Sequence, residues 1–170
     1  MDFQAPGAIF YSPDPKEMIG GFLTERAEQA GEIHVLVGED NDDDILILKE
    51  ALSTFKFVRI VGTASDGEEA IELFRREGRV TADSGAVPRL ILLDINMPKK
   101  NGFEVLREIR LDPDLKRVVV LMLTVSNREE DILLSYELGA NAFVNKPVDF
   151  EKFKDHMGRV LSYWAKIIRP

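Results

Sequence analysis

The chain has 170 residues, 45% of them hydrophobic, which suits one ordinary domain with a core of its own. Acidic side chains outnumber basic ones, 30 to 22, and the net charge of −8 argues against a protein built to hold nucleic acid. With no cysteine and only two histidines, His34 and His156, disulfides, thiolate chemistry and a histidine-rich zinc site are excluded; a metal would need oxygen ligands, as magnesium or calcium does.

Residues 1–31 read as an N-terminal extension. Pro6, Gly7, Pro13 and Pro15 make its first part irregular, and a short helix over 15–30 would carry Met18, Phe22 and Leu23 on one side, interrupted at Gly20-Gly21. The start MDFQAPGAIF lacks the basic residues of a secretory signal, and no apolar run reaches the roughly 18 residues of a membrane span. A soluble, cytoplasmic protein is expected, with 32–170 as its folded unit.

From Ile33 the chain alternates regularly. Ile33 to Val37 is a short apolar strand, followed by a helix over about 43–53 with Ile45, Leu48 and Leu52 on one face and one of Asp42 to Asp44 as its cap. Val58 to Ala64 is a second strand. Asp66 caps a helix bearing Ala70, Ile71 and Phe74, and 76–88 is loop. RLILLD, 89–94, is apolar throughout and belongs at the centre of a sheet covered on both sides. A helix over 102–111 turns Phe103, Leu106 and Ile109 inward and stops at Asp112-Pro113-Asp114. Val118 to Leu123 is the fourth strand. Ser126 to Glu129 has the spacing of a capping box for a helix with Ile132, Leu133 and Tyr136 inward, closed by Gly139. Ala142 to Asn145 is the fifth strand, and a long helix ends the chain.

Five strands alternating with five helices through short connections make a doubly wound α/β fold with a parallel sheet. Ligands of such sheets bind beyond the carboxyl ends of the strands, where this chain has Glu39 and Asp40 (strand one), Asp94 (three), Thr124 (four) and Lys146 (five). Strands one and three are neighbours in a doubly wound sheet, so Glu39, Asp40 and Asp94 share one crevice. Carboxylates crowded together need a cation, and magnesium fits. A lysine and a hydroxyl opposite would then hold a phosphoryl group around a nucleophilic carboxylate.

The succession GEDND, LLDINMPKKNGFEVL, LTVS and GANAFVNKP resembles the receiver domains of two-component response regulators, over roughly residues 33–162. The resemblance implies a flavodoxin-like receiver fold with strand order 2-1-3-4-5. It makes Asp94 the acceptor of phosphate from a histidine kinase, Asp40 a direct Mg2+ ligand with Asp94 and the main-chain carbonyl of Asn96, and Glu39 the other member of the acidic pair. Thr124 matches the switch hydroxyl, Lys146 the lysine that pairs with phosphate, and Phe143 the switch aromatic; a cis bond before Pro147 is usual in the family. MPKKNG, TVSNREEDI and YWAKIIRP resemble more narrowly the small regulators partnered with phytochrome-type histidine kinases, which often dimerise through the fourth helix, fifth strand and fifth helix.

Three positions depart from the family pattern: Gly38 where a bulky aliphatic is usual, Asp42 where proline is common, and Val125 where a smaller residue would leave more access for a phosphodonor. The 25 residues after Asn145 leave no room for an output domain, so output is expected through protein contacts. Phe150, Phe153, Met157, Val160, Leu161, Trp164, Ile167 and Ile168 give the last helix more apolar surface than one sheet face needs, which favours a homodimer. The protein is expected to be a phosphoacceptor with at most slow Mg2+-dependent autodephosphorylation, and no turnover enzyme. Asn96 stands where a dehalogenase-like phosphatase has its second acid, and acids replace the phosphate loop a flavin-binding module would need. A phosphate-independent interaction or dimerisation module is the alternative reading.

Overall fold

The computed structural model describes residues 32–77 and 90–167. The N-terminal extension, most of the 76–88 loop and Ile168 lie outside the described residues. The elements alternate without exception: β1 (Ile33–Gly38), α1 (Asp42–Ser53), β2 (Val58–Ala64), α2 (Gly67–Glu77), β3 (Leu90–Asp94), α3 (Gly102–Leu111), β4 (Val119–Thr124), α4 (Glu129–Glu137), β5 (Ala142–Asn145) and α5 (Phe150–Ile167). All pairings are parallel and the strand order is β2-β1-β3-β4-β5, as expected. No helix among the described residues is long and apolar enough to cross a membrane.

The uniform apolarity of β3 has its reason in this order. Leu90 and Leu92 join the core under α1 and α5, with Leu48, Leu52, Phe153, Met157 and Leu161; Ile91 and Leu93 join the core under α2 and α3, with Phe74, Val105, Leu106 and Ile109. All four leucine and isoleucine side chains of the strand are fully buried. A strand with water on neither side has no polar face to alternate.

Gly38, one of the three departures, is explained by packing across β1 and β3. A Cβ there would lie 2.8 Å from Leu93 Cδ1 and 3.5 Å from Met97 Sδ, so those two side chains already fill the usual aliphatic's place. Gly102 is needed for a closer approach: a Cβ would lie 2.2 Å from the Asp94 carbonyl oxygen, where the first turn of α3 meets the end of β3.

Three local expectations need correction. The cap of α1 is Asn41, not an aspartate; its side chain accepts from the N–H groups of Asp43 and Asp44, leaving Asp42, Asp43 and Asp44 in the first turn, where the helix dipole favours negative charge. The box from Ser126 to Glu129 does not form. Ser126 N–H bonds Thr124 Oγ1 at 3.0 Å and Ser126 Oγ donates to Asp131, which keeps 126 in the loop; α4 starts at Glu129 behind Arg128, with no side-chain cap. In α4 it is Ser135 that is buried, Leu133 is 56% exposed rather than inward, and Ile132 and Tyr136 are half-buried. Finally, no peptide bond among the described residues is cis, so the one before Pro147 is trans, the commoner form of an X–Pro bond.

Gly139 closes α4 as expected, at φ 93°. Its N–H bonds Tyr136 O and the Ala140 N–H bonds Ser135 O, the paired bonds of a Schellman motif. The guanidinium of Arg110, on α3, ties this corner down: Nε donates to Gly139 O, Nη1 to Val118 O and Nη2 to Asn141 Oδ1. Replacing Gly139 by alanine forces a Cβ into the left-handed region and to 3.2 Å from Arg110 Nε. The expected loss is about 1–2 kcal/mol, read as a lower urea midpoint with an unchanged slope.

Candidate functional site

The carboxyl ends of β1, β3, β4 and β5 converge on one crevice, and the backbone fixes each residue that lines it. Glu39 N–H bonds the Ala64 carbonyl at the end of β2, and Lys146 N–H bonds the Thr124 carbonyl at the end of β4. Asp94 ends β3 and pairs across the sheet with Leu123. Glu39, Asp94 and Thr124 are buried, at 3%, 6% and 0% exposure; Asp40 is exposed at the mouth.

Glu39, Asp40 and Asp94 each offer a carboxylate oxygen, all within 4.8 Å of one another. Lys146 faces them. Its Nζ bonds Glu39 Oε2 and lies 3.1 Å from Asp44 Oδ2 and 3.4 Å from Asp94 Oδ1. Burial pushes the Glu39 carboxyl above its ordinary range; the Lys146 hydrogen bond opposes that, the Asp94 charge adds to it, and the Asn41 N–H donates 3.1 Å away. Burial likewise raises Asp94, against the Lys146 charge and the N–H of Asn96 donating to Oδ2 at 3.2 Å. For Lys146 burial alone would lower the pKa, but the bond to Glu39 and the Asp94 charge outweigh it and hold the ammonium above its usual value.

One lysine therefore shares a pocket with more acid than it can neutralise. The remaining donors are all carboxylate oxygens, the set that a hard divalent cation such as Mg2+ or Mn2+ takes and a soft metal does not. Two of the three acids are buried and destabilised by that burial, so a cation here would relieve a cost already present. The residues fit the ion.

The residues singled out from sequence are brought together at this crevice with one qualification. Phe143 stands away from the acids, half-buried in β5 on the side covered by α2 and α3, near Leu138 and Ala140. Two contributors were not foreseen. Asp44 reaches Lys146 because Asn41 caps α1 and so puts Asp44 third in the helix, a position whose side chain turns back toward the cap. Asn145, just before Lys146, donates through Nδ2 to Ser126 O at 3.3 Å and to Asn127 Oδ1, tying β5 to the loop that follows Thr124.

The paired lysines of MPKKNG do not serve the crevice as anion ligands. Lys99 bonds Asp66 at 2.6 Å and Lys100 bonds Glu108, while Lys100 N–H bonds Pro98 O in a tight turn that puts Lys99 at φ 63°. They brace the β3–α3 loop against α2 and α3.

Comparison with known proteins agrees with this geometry. Response regulator Rcp1 of Synechocystis sp. is 34% identical over 134 residues, 79% of this chain and 90% of that protein. The crystal structure of the Mn2+-bound form of Rcp1 superposes with a TM-score of 0.67 at 33% identity, covering 80% of this chain and 96% of that one. The phosphorylated cyanobacterial phytochrome response regulator RcpA gives a TM-score of 0.71 at 36% identity, covering 81% and 97%. The profile described as response regulator receiver domain matches residues 35–157, from within β1 to the middle of α5, and on that match the chain belongs to the response regulator receiver domain family.

Proposed function

We propose that Asp94 accepts a phosphoryl group from the phosphohistidine of a histidine kinase, and that the phosphorylated domain signals through protein contacts. Receiver domains are phosphoacceptors as a family. The observation that carries the reading here is the buried Asp94 carboxylate, set between the Asn96 N–H and the Lys146 ammonium beside two further acids.

In the reaction, one Asp94 oxygen forms the bond to phosphorus while the phosphorus–nitrogen bond of the donor breaks, its electron pair leaving with the imidazole. Asp40, Asp94 and the Asn96 carbonyl would hold Mg2+, with Glu39 alongside. Bound there, the ion offsets negative charge on the transferring oxygens. Lys146 pairs with a phosphoryl oxygen from the other side. The Thr124 oxygen accepts from the Ser126 N–H, and its own hydroxyl hydrogen would be given to a phosphoryl oxygen. The new group carries roughly −1.5 to −2 charge, and drawing Thr124 toward it pulls on Ser126 and the start of α4. Phe143 then turns further inward and shifts the populations of two α4–β5 arrangements.

We take 32–170 as the receiver unit, working in the cytoplasm, with 1–31 as an extension outside it. The partner kinase is of phytochrome type, a reading supported by the likeness to RcpA. Pairing of two copies through α4, β5 and α5 is the output we favour. Its support is narrower than the apolar count of α5 suggested, because Val160 and Trp164 are half-buried in the chain's own core. Among the described residues, Leu133 (56%) and Leu134 (36%) on α4 and Tyr163 (37%) and Ile167 (49%) on α5 are the exposed large apolar side chains of these helices.

Incubation with acetyl phosphate and Mg2+ is expected to add the mass of one phosphoryl group, and neither Asp94→Asn nor wild type in EDTA should gain it. A gain that survives Asp94→Asn would place the acceptor elsewhere. A second expectation concerns stability. Because burial penalises the ionised Asp94 carboxylate, Asp94→Asn should be more stable than wild type in EDTA at neutral pH, on the order of 1 kcal/mol. The gap should narrow in Mg2+, as urea unfolding in the two buffers would record.

A further inference from the structure

We infer that Asp44 is the positioning residue that keeps the Lys146 ammonium beside Asp94 once a divalent cation has taken up the other carboxylates. The inference rests on the phosphoacceptor reading and concerns how that same site is kept ready.

Lys146 has three acidic neighbours, and they are not equivalent. Glu39 and Asp94 belong to the trio whose oxygens lie within 4.8 Å of one another; Asp44 does not. Any cation bound by the trio draws on two of the carboxylates that hold the lysine, Glu39 and Asp94, and repels the ammonium at short range. Both effects weaken two of its three contacts at once.

The surroundings leave few alternatives. Lys146 opens onto a cleft between α1 and the β5–α5 connection, whose walls include Ile47, Val125, Pro147, Val148 and Phe150. Among the described residues, the charged ones lining it apart from Lys146 itself are Glu39 and Asp44. An ammonium displaced from Glu39 into an apolar cleft has one carboxylate to meet before solvent, and the Lys146 side chain is only 12% exposed. Asp44 is also free of other duties: Asn41 caps α1, and the Asp44 N–H rather than its carboxylate takes part in that cap. Its side chain is 38% exposed and reaches inward to within 3.1 Å of the Lys146 ammonium.

An acid outside the metal trio but within reach of the lysine therefore acts as a holding point. From it the ammonium has a short path to a phosphoryl oxygen arriving on Asp94. Without it, a cation-loaded site would lose its second positive charge to solvent before the donor came.

The test uses the full chain labelled with 15N-lysine, in which the side-chain ammonium of Lys146, assigned by its loss in Lys146→Arg, reports whether that group is held. Wild type should keep the signal in EDTA and in saturating Mg2+. Asp44→Asn should keep it in EDTA and lose it in Mg2+; Asp44→Glu should restore it. Asp43→Asn, which removes an exposed charge from the same turn, should behave as wild type. At saturating Mg2+ the rate of phosphorylation by acetyl phosphate should fall about threefold to tenfold in Asp44→Asn and recover in Asp44→Glu. A Lys146 signal that responds to Mg2+ alike in wild type and Asp44→Asn overturns the inference, as does one that wild type loses in Mg2+. A chain that binds no Mg2+ by calorimetry overturns it together with the metal reading. If no variant takes phosphate, even from a phosphorylated kinase domain, while the Lys146 signals still separate wild type from Asp44→Asn, the phosphoacceptor reading falls and the role of Asp44 in holding the lysine stands.

Discussion

Like charges brought close repel unless something offsets them, and the carboxylates of Glu39, Asp40 and Asp94 have oxygens within 4.8 Å of one another. Nothing about helix or strand formation asks for that arrangement. It follows from the strand order, which sets β1 beside β3 and brings both carboxyl ends to one crevice. Two of the acids are also buried, so the fold accepts a desolvation cost on top of the repulsion. Lys146 meets part of the deficit, and its own elevated pKa records how strongly the surrounding acids hold its proton. The rest of the deficit is an affinity for cations.

Holding such a group of charges in place requires a scaffold that does not give. The strand that carries Asp94 is sealed on both faces, with Leu90, Ile91, Leu92 and Leu93 shared between two separate cores. Immediately beyond it, Gly102 lets the first turn of α3 rest on the Asp94 carbonyl, and Gly102 N–H bonds the Ile95 carbonyl at 2.8 Å. The loop between them is braced by Lys99 to Asp66 and by Lys100 to Glu108. Repulsion at the strand ends therefore has little freedom to relax by moving backbone, and a cation is the cheaper remedy.

Much of this was legible in the residues. The continuous apolarity of 90–93 marks a central strand because no other place in an α/β sheet buries both faces, and the acids after β1 and β3 follow from that placement. Gly139 announced the end of α4, since few other residues take φ near 93°. Other features were hidden for definable reasons. Asp42, Asp43 and Asp44 look alike in the sequence; only the register set by the Asn41 cap distinguishes the one that reaches Lys146. Ser126 and Glu129 have the spacing of a capping box, yet competing local bonds from Ser126 to Thr124 and Asp131 override it. Asn145 reads as an ordinary strand residue until the β4–α4 loop is seen to lie against it. The surplus apolar surface of α5 was overestimated because a face count does not know that Val160 and Trp164 are half-covered by the chain's own core.

The two ends of α4 are fastened very differently. At its carboxyl end the Schellman bonds and the three-element grip of Arg110 lock Gly139 and Asn141 to α3 and to the start of β4. At its amino end no side chain caps the helix, and a few polar bonds from Ser126 and Asn145 connect it to the crevice. A rod pinned at one end and tethered at the other has one soft degree of freedom, a swing about the pin. Displacement in such a rod grows with distance from Gly139 and is greatest next to Thr124. A pull on Ser126 would therefore move the amino end of α4 more than its carboxyl end.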